Sequence, residues 1–464
     1  MISLIGSILR RCIPFGVATL AVCTVALAET GGWAPITEDE KSLKVPVVDK
    51  EAGAEALFWN VHITNESYVT NFEHYVRIKI FNQHGCDTQN SISIEGLGTG
   101  SIGEIVGRTI KADGTILELE KSAISTRVIV KAGDLKYQSV SFAMPGVEPG
   151  VIIEYRWRER RYGSYTHLRL QLQRDIPVHE VKYFIRAIDN FGLGGGMSLA
   201  AFHAQPQALP KDKDGWYEIS MTDVPAYLSE PMMPPDAQIK PWVLVFRTEQ
   251  RKVDPEKYWE DVGKTVFERT KPLLKINNEV RQAAEEATAG ATDPEEKLER
   301  LVKYCRTKIK DLADDDITDR QREKAKENRS PSDTLKHATG NYFDIDMLFA
   351  AMAIAAGFED TRVAFLANRD DVPFDSRLTD SYFLPNLAIA VKSGTGWRFY
   401  NPASADLPAG MLTWPDEGVD ALISDAKKAV FVKTPFSEPE KSVQKREGMF
   451  ELREDGTLAG EVRV

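Results

Sequence analysis

The stretch from Gly340 to Gly357, GNYFDIDMLFAAMAIAAG, constrains the fold more than any other. Phe343, Ile345, Met347, Leu348, Phe349, Met352 and Ile354 leave almost no polar face, so the spacing predicts a helix over 343–356 that is apolar all round. Such a helix has to be enclosed by other elements. Gly340-Asn341 forms a turn ahead of it, and Gly357 ends it. A chain of 464 residues, 42% hydrophobic and 27% charged, has material for two or three domains with real cores.

Upstream, residues 60–230 follow a different period. YVRIKIF (75–81) sets Val76, Ile78 and Ile80 against Tyr75, Arg77 and Lys79. VIIEYRWRER (151–160) sets Ile153, Tyr155 and Trp157 against Glu154, Arg156 and Arg158, and LRLQLQ (168–173) repeats the alternation. Period two implies antiparallel sheets with one buried and one wet face. Asp113-Gly114 reads as a hairpin turn with positive φ at both residues. An all-β domain of sandwich type is expected over 60–245, after a linker at 29–59.

From about residue 250 the period becomes helical. ATDPEEKLERLVKYCRTKI opens with Asp293 as N-cap, Pro294 at the first helical position and Glu296 completing a capping box. Leu298, Leu301, Val302, Cys305 and Ile309 share one face, which makes Cys305 a core residue rather than a nucleophile. The charged span 311–333 reads as a solvated connection; a calcium loop at Asp314–Asp319 would lack its glycine and its terminal glutamate. TRVAFLA, LAIAVKS and GWRFYNP follow as strands, with the hairpin turn at Ser393-Gly394-Thr395-Gly396. A central helix followed by antiparallel strands is an α+β domain, placed at 246–435. In EGMFELREDGTLAGEVRV, a strand, an Asp455-Gly456 turn and a strand begin a C-terminal β unit over 436–464, read as continuing past Val464.

The first 28 residues carry Arg10 and Arg11, an apolar run from Cys12 to Val25, and Ala26-Leu27-Ala28, the pattern of a secretory leader cut after Ala28. The mature chain is therefore expected to be exported, to the periplasm or cell surface, with no remaining membrane anchor. A net charge of −11 argues against nucleic acid as a partner. Cys86 and Cys305 would remain, and nothing in the sequence specifies whether they pair. His62, His74 and His84 lack ligand spacing and read as surface or strand histidines, so neither metal nor cofactor is expected.

The phrases SFAMPGVEPGVIIEYRW and QLQRDIPV, the helix EEKLERLVKYCRTKI, the turn and helix at 340–358 and the hairpin LPNLAIAVKSGTGWRFYNPAS together resemble exported bacterial proteins of the transglutaminase-like superfamily. These proteins carry a β-rich domain of unknown function ahead of a papain-like α+β domain. The resemblance covers roughly residues 60–440. It implies a Cys–His–Asp triad, with the thiol activated at the start of the central helix and an imidazole oriented by the aspartate.

Carried onto this chain, the cysteine position is Tyr342, the histidine position is Asn386 and the aspartate position is Asn401. No histidine or cysteine occurs after His337, which lies five residues ahead of Tyr342 and is a poor substitute base. A phenol of pKa near 10 is about 0.1% ionised at neutral pH. Loss of a nucleophile–base unit removes on the order of 10³–10⁶ in rate. Three readings follow. In the first, a non-catalytic groove built from Tyr342, Asp344, Asn386 and Asn401 binds a peptide, glycan or protein of the cell envelope. In the second, a scaffold has its groove filled by Tyr342. In the third, a hydrolase of unrelated chemistry uses Asp344 and Asp346.

Overall fold

The computed structural model describes residues 32–464 except 67, 99, 133–134, 164–165, 187–195, 249–252 and 395. The expected leader at 1–28 and Thr395 of the predicted turn lie outside the described residues.

The period-two segments assemble into an eight-stranded sheet. Its spatial order is Gln207–Leu209, Tyr217–Val224, Val178–Arg186, Ala54–Glu66, Val69–Ile80, Ile152–Tyr162, Ser101–Ile110 and Ile116–Glu118. Ala54–Glu66 runs parallel to Val178–Arg186, a departure from the antiparallel expectation. A three-stranded sheet of Ser91–Gly98, Leu135–Ala143 and Ile124–Ala132 and another of Gly196–Phe202, Trp242–Thr248 and His167–Gln171 contribute to the same core. Val76, Ile78, Ile80, Ile153, Tyr155 and Trp157 share that core with Phe142, Leu170, Leu172, Val243 and Val245, so the sandwich is real.

The opposite face of the large sheet is not wet where the alternation predicts it. Arg77 is 1% exposed and Glu154 0%. Arg77 meets Glu154 at 2.9 Å and Glu40 at 2.8 Å, while Arg108 holds the other oxygen of Glu154 at 2.6 Å. The cover is the segment from Trp33 to Val48. Ala34 and Pro35 accept hydrogen bonds from Arg77, and Trp33 sits between the guanidinium groups of Arg108 and Arg156. Glu55 accepts the backbone N–H groups of Val47 and Val48. Buried charges persist only when paired this completely. Within the region read as a linker, residues 33–48 form a strap over the sheet, and Ala54 already begins a strand.

Asp113-Gly114 does make the turn between Ser101–Ile110 and Ile116–Glu118, but only Gly114 has positive φ, at 88°.

In the second region five antiparallel strands lie in the order Gly396–Tyr400, Asn386–Ser393, Thr361–Leu366, Asp420–Ile423 and Val430–Lys433. Val363, Ile389, Val391 and Tyr400 face the central helix Tyr342–Ala355. Ala364, Leu366, Ala388, Ala390 and Phe399 face the other way, onto Trp259 of the helix Pro255–Thr270. That helix comes close enough that a Cβ on Gly263 would lie 2.2 Å from the Cβ of Ala429, so only glycine fits there. The helices Asn278–Thr288 and Pro294–Lys308 enclose the rest of the central helix, with Cys305 fully buried. Asp293 caps its helix as expected, whereas Glu296 turns away to pair with Arg300 at 2.6 Å.

The strand Trp242–Thr248 runs across the expected boundary at 245. Val243 and Val245 belong to the sandwich core, and Trp242, Leu244 and Phe246 pack against Val372 and Phe383 of the second region. Arg169 adds a two-pronged ion pair to Asp371, at 2.6 Å through each nitrogen, and His167 meets Asp380 at 2.8 Å. The chain ends in the hairpin Glu447–Leu452 and Leu458–Arg463, turned at Asp455-Gly456 and exposed along nearly all its length. No helix among the described residues is long and apolar enough to cross a membrane.

Candidate functional site

The N-terminus of the central helix is built by its cap. Asn341 accepts the N–H of Asp344 at 3.1 Å, and Asp344 accepts the N–H of Asn341 at 3.0 Å, a reciprocal box that satisfies two end donors. Gly340 is required because a Cβ there would lie 2.8 Å from the Cβ of Asp344. Asn328 extends the network: its amide donates to Asp344 at 3.2 Å and to the carbonyl of Thr339 at 2.8 Å. The carbonyl oxygen of that amide therefore faces His337, whose Nδ1 lies 2.7 Å away and must be the donor. His337 is thereby tied to the cap, and no hydrogen bond joins it to Tyr342 among the described residues.

Tyr342 occupies the first position of the helix and is 62% exposed. A side chain that open is not core filling. Asp346, one turn on, is 1% exposed. The Ala403 N–H is its backbone partner, Oδ1 has none, and burial pushes its carboxyl well above the usual carboxylate range, with nearby Asp311 adding to the rise. Asp344 is committed to the cap and Asp346 to the interior. The two carboxylates therefore do not converge on an open cleft.

Asn386 begins the strand Asn386–Ser393, and its Nδ2 donates to Oδ1 of Asp416 at 2.5 Å. Asp416 is 5% exposed and takes a second hydrogen bond from the Thr413 hydroxyl at 2.7 Å. Its carboxylate fixes the orientation of the Asn386 amide, so Oδ1 of Asn386 is the group left over. Asn401 follows the strand Gly396–Tyr400, and its carbonyl accepts from Ser404 and from Arg306. Arg306 also holds the carbonyls of Pro402 and Leu407, which pins the whole turn to the Pro294–Lys308 helix. The side chains of Asn386 and Asn401 are not hydrogen-bonded to each other or to Tyr342 among the described residues.

Sequence reasoning missed Asp416 and Asn328. Asp416 lies 30 residues beyond Asn386 in a Trp-Pro-Asp turn, where no spacing rule links the two. The described residues contain no group of three or more histidine, cysteine, aspartate or glutamate side chains placed to hold a metal. Cys86 and Cys305 are both free and buried, and burial pushes the Cys305 thiol upward.

The transglutaminase-like superfamily model matches residues 281–401, from the helix Asn278–Thr288 to Asn401. This region is a transglutaminase-like domain. Among solved structures, a "putative protease" from Parabacteroides distasonis superposes with a TM-score of 0.51 at 16% identity, covering 82% of this chain and 72% of that one. At that identity the likeness concerns the fold, and it extends through the β-rich region as well as the transglutaminase-like domain. A two-domain M1 zinc metallopeptidase (10% identity, TM-score 0.22, 42% of this chain and 43% of that one) is too distant to carry an argument. The same holds for a family 3a carbohydrate-binding module from Clostridium thermocellum (11%, TM-score 0.14, 22% and 78%). No curated protein matches the chain.

Proposed function

We propose that the transglutaminase-like domain is a non-catalytic binding module of an exported protein, and that its ligand is a peptide or glycan of the cell envelope. One observation carries the reading. Tyr342, at the position the resemblance gives to the nucleophile, is an open aromatic at a capped helix end, 62% exposed. A largely exposed ring contributes little to folding, whereas such rings are strong contact groups in recognition sites. Asn386 supports the same reading: Asp416 takes its amide N–H, which leaves Oδ1 as an acceptor suited to an N–H of a peptide bond or an acetamido group. Neither side chain can form an acyl-enzyme at neutral pH, so the groove holds its ligand without cleaving it.

Thermal denaturation tests this against wall muropeptides, chitin oligosaccharides and a carboxymethylated unfolded polypeptide, using wild type, Tyr342→Ala and Asn386→Ala. A ligand that raises the melting temperature of wild type and of neither variant supports the reading. Absence of any shift across the three ligand classes contradicts it.

A further inference from the structure

A continuous chain of hydrogen bonds runs from the β-rich region to Asn386. It starts at Gln238, in the short turn Asp236–Gln238 ahead of the strand Trp242–Thr248. That turn is itself held: the Trp242 indole donates to the Ala237 carbonyl at 3.0 Å, and the Gln238 N–H to the Pro235 carbonyl at 2.8 Å. The side-chain amide of Gln238 then crosses to the second region and donates to the carbonyl of Arg369.

Arg369 holds the turn Trp414–Asp416 with both backbone and side chain. Its N–H donates to the Pro415 carbonyl at 2.9 Å and its Nε to the Trp414 carbonyl. Its guanidinium lies over the Trp414 ring at 4.6 Å and over the Phe436 ring at 5.1 Å, and it pairs with the buried Glu417 at 3.5 Å. Asp416 ends this turn and holds the amide of Asn386. We infer that Arg369 is a positioning residue for the groove, and that through Gln238 the β-rich region governs the orientation of the Asn386 amide. The inference rests on the reading of Asn386 as a contact of that groove and names what controls it.

Two features give the chain its leverage. First, the turn is not held by burying its largest side chain, because Trp414 is 54% exposed. Among the described residues, the hydrogen bonds that reach its carbonyls from outside come from Arg369 and from Thr434, which holds that of Asp416 at 2.7 Å. A hydrogen bond weakens steeply once its length and angle drift, so a turn released by Arg369 loosens its bond to Asn386. Second, the backbone enters Asn386 through the loop that Arg169 and His167 hold at Asp371 and Asp380. Both supports of the Asn386 side chain therefore lean on the β-rich region.

The test is nuclear magnetic resonance of the full chain labelled with ¹⁵N at asparagine side-chain amides, with the Asn386 signal assigned by Asn386→Asp. One Asn386 amide proton should lie downfield of free amides and exchange slowly with water. Gln238→Ala and Arg369→Ala should each move it toward the free-amide position and speed its exchange by about 5-fold, the factor one ordinary hydrogen bond contributes. Gln238→Glu, which keeps the size and loses the donor, should match Gln238→Ala. Val76→Ala, which destabilises the sandwich core away from this chain of bonds, should leave the signal in place, a distinction that a merely structural role for Arg369 would not produce. Gln238 is only half-buried, so its variants decide if circular dichroism shows Arg369→Ala unfolded. The spectra are taken without ligand, so failure of this coupling and failure of the binding reading are recorded separately. An Asn386 signal unmoved by the Gln238 variants, or moved equally by Val76→Ala, overturns the inference.

Discussion

Asn386 and Asp416 are joined by a 2.5 Å hydrogen bond, which gives the position expected for the triad histidine a buried carboxylate partner outside the expected triad. Asp416 also takes the Thr413 hydroxyl, and its own carbonyl accepts from Thr434. Asp416→Ala strands the amide of Asn386 and the hydroxyl of Thr413 in a mostly buried site. Hydrogen bonds to a charged group contribute about 1.5–3 kcal/mol each, and their losses here overlap. Urea unfolding should show a loss of about 2–4 kcal/mol, and any ligand of the groove should weaken as it does with Asn386→Ala. A variant as stable as wild type would show that the carboxylate holds nothing in place.

Tyr342 and Phe349 lie on one helix and should respond oppositely. Tyr342→Ala removes an exposed ring and is expected to change stability by no more than about 0.5 kcal/mol. Phe349→Ala empties a fully buried site against Tyr400 and should cost about 3–5 kcal/mol. Chemical denaturation of both variants checks this. A large loss from Tyr342→Ala would return Tyr342 to the role of core filler.

His74 confers acid sensitivity. It lies half-buried beside the sandwich core, stacked on Trp157 at 4.1 Å, with neither ring nitrogen partnered. Burial, reinforced by Arg174 and Arg161, lowers its pKa from 6.5 to about 3. Between those values the unfolded chain binds a proton that the folded site rejects, so stability falls as pH drops, by up to about 1.4 kcal/mol per pH unit. His74→Phe should flatten the decline in urea midpoint between pH 7 and pH 4. An unchanged slope would mean that the imidazole takes up a proton in place.

Arg169 ties the sandwich to the transglutaminase-like domain through Asp371 and the Tyr382 hydroxyl, while its guanidinium lies over the Trp242 ring of its own sheet. The pair is partly solvent-exposed, which limits its strength. Arg169→Ala should cost about 1–2 kcal/mol and increase proteolytic cleavage in 367–385, read by limited digestion and mass spectrometry. Cleavage at the wild-type rate would show that apolar packing alone holds the interface.

The core-facing half of the sandwich was legible because alternation reports burial directly, as at Val76, Ile78 and Ile80. Arg77 and Glu154 defeated the same rule. Periodicity cannot see that a strap from Trp33 to Val48 comes back over their face. The strand Trp242–Thr248 spans the expected boundary for a related reason. WVLVF at 242–246 is apolar on both faces because each face meets a different core, a pattern that period-two reading does not assign. At the candidate site, the helix cap was readable from Gly340, Asn341 and Asp344. Asp416 was not, because the fold alone brings it to Asn386. Local sequence likewise could not tell that Tyr342 points outward while Asp346 points in.

The most direct measurement is transfer of monodansylcadaverine into casein by the full chain, with and without iodoacetamide, together with release of amines from dansylated peptides. On the proposed reading, which puts Tyr342 at the position expected for the cysteine, and with Cys305 sealed in the core, incorporation and release should equal the protein-free control under both conditions. Turnover above that control that iodoacetamide abolishes would contradict the loss of thiol chemistry at this site.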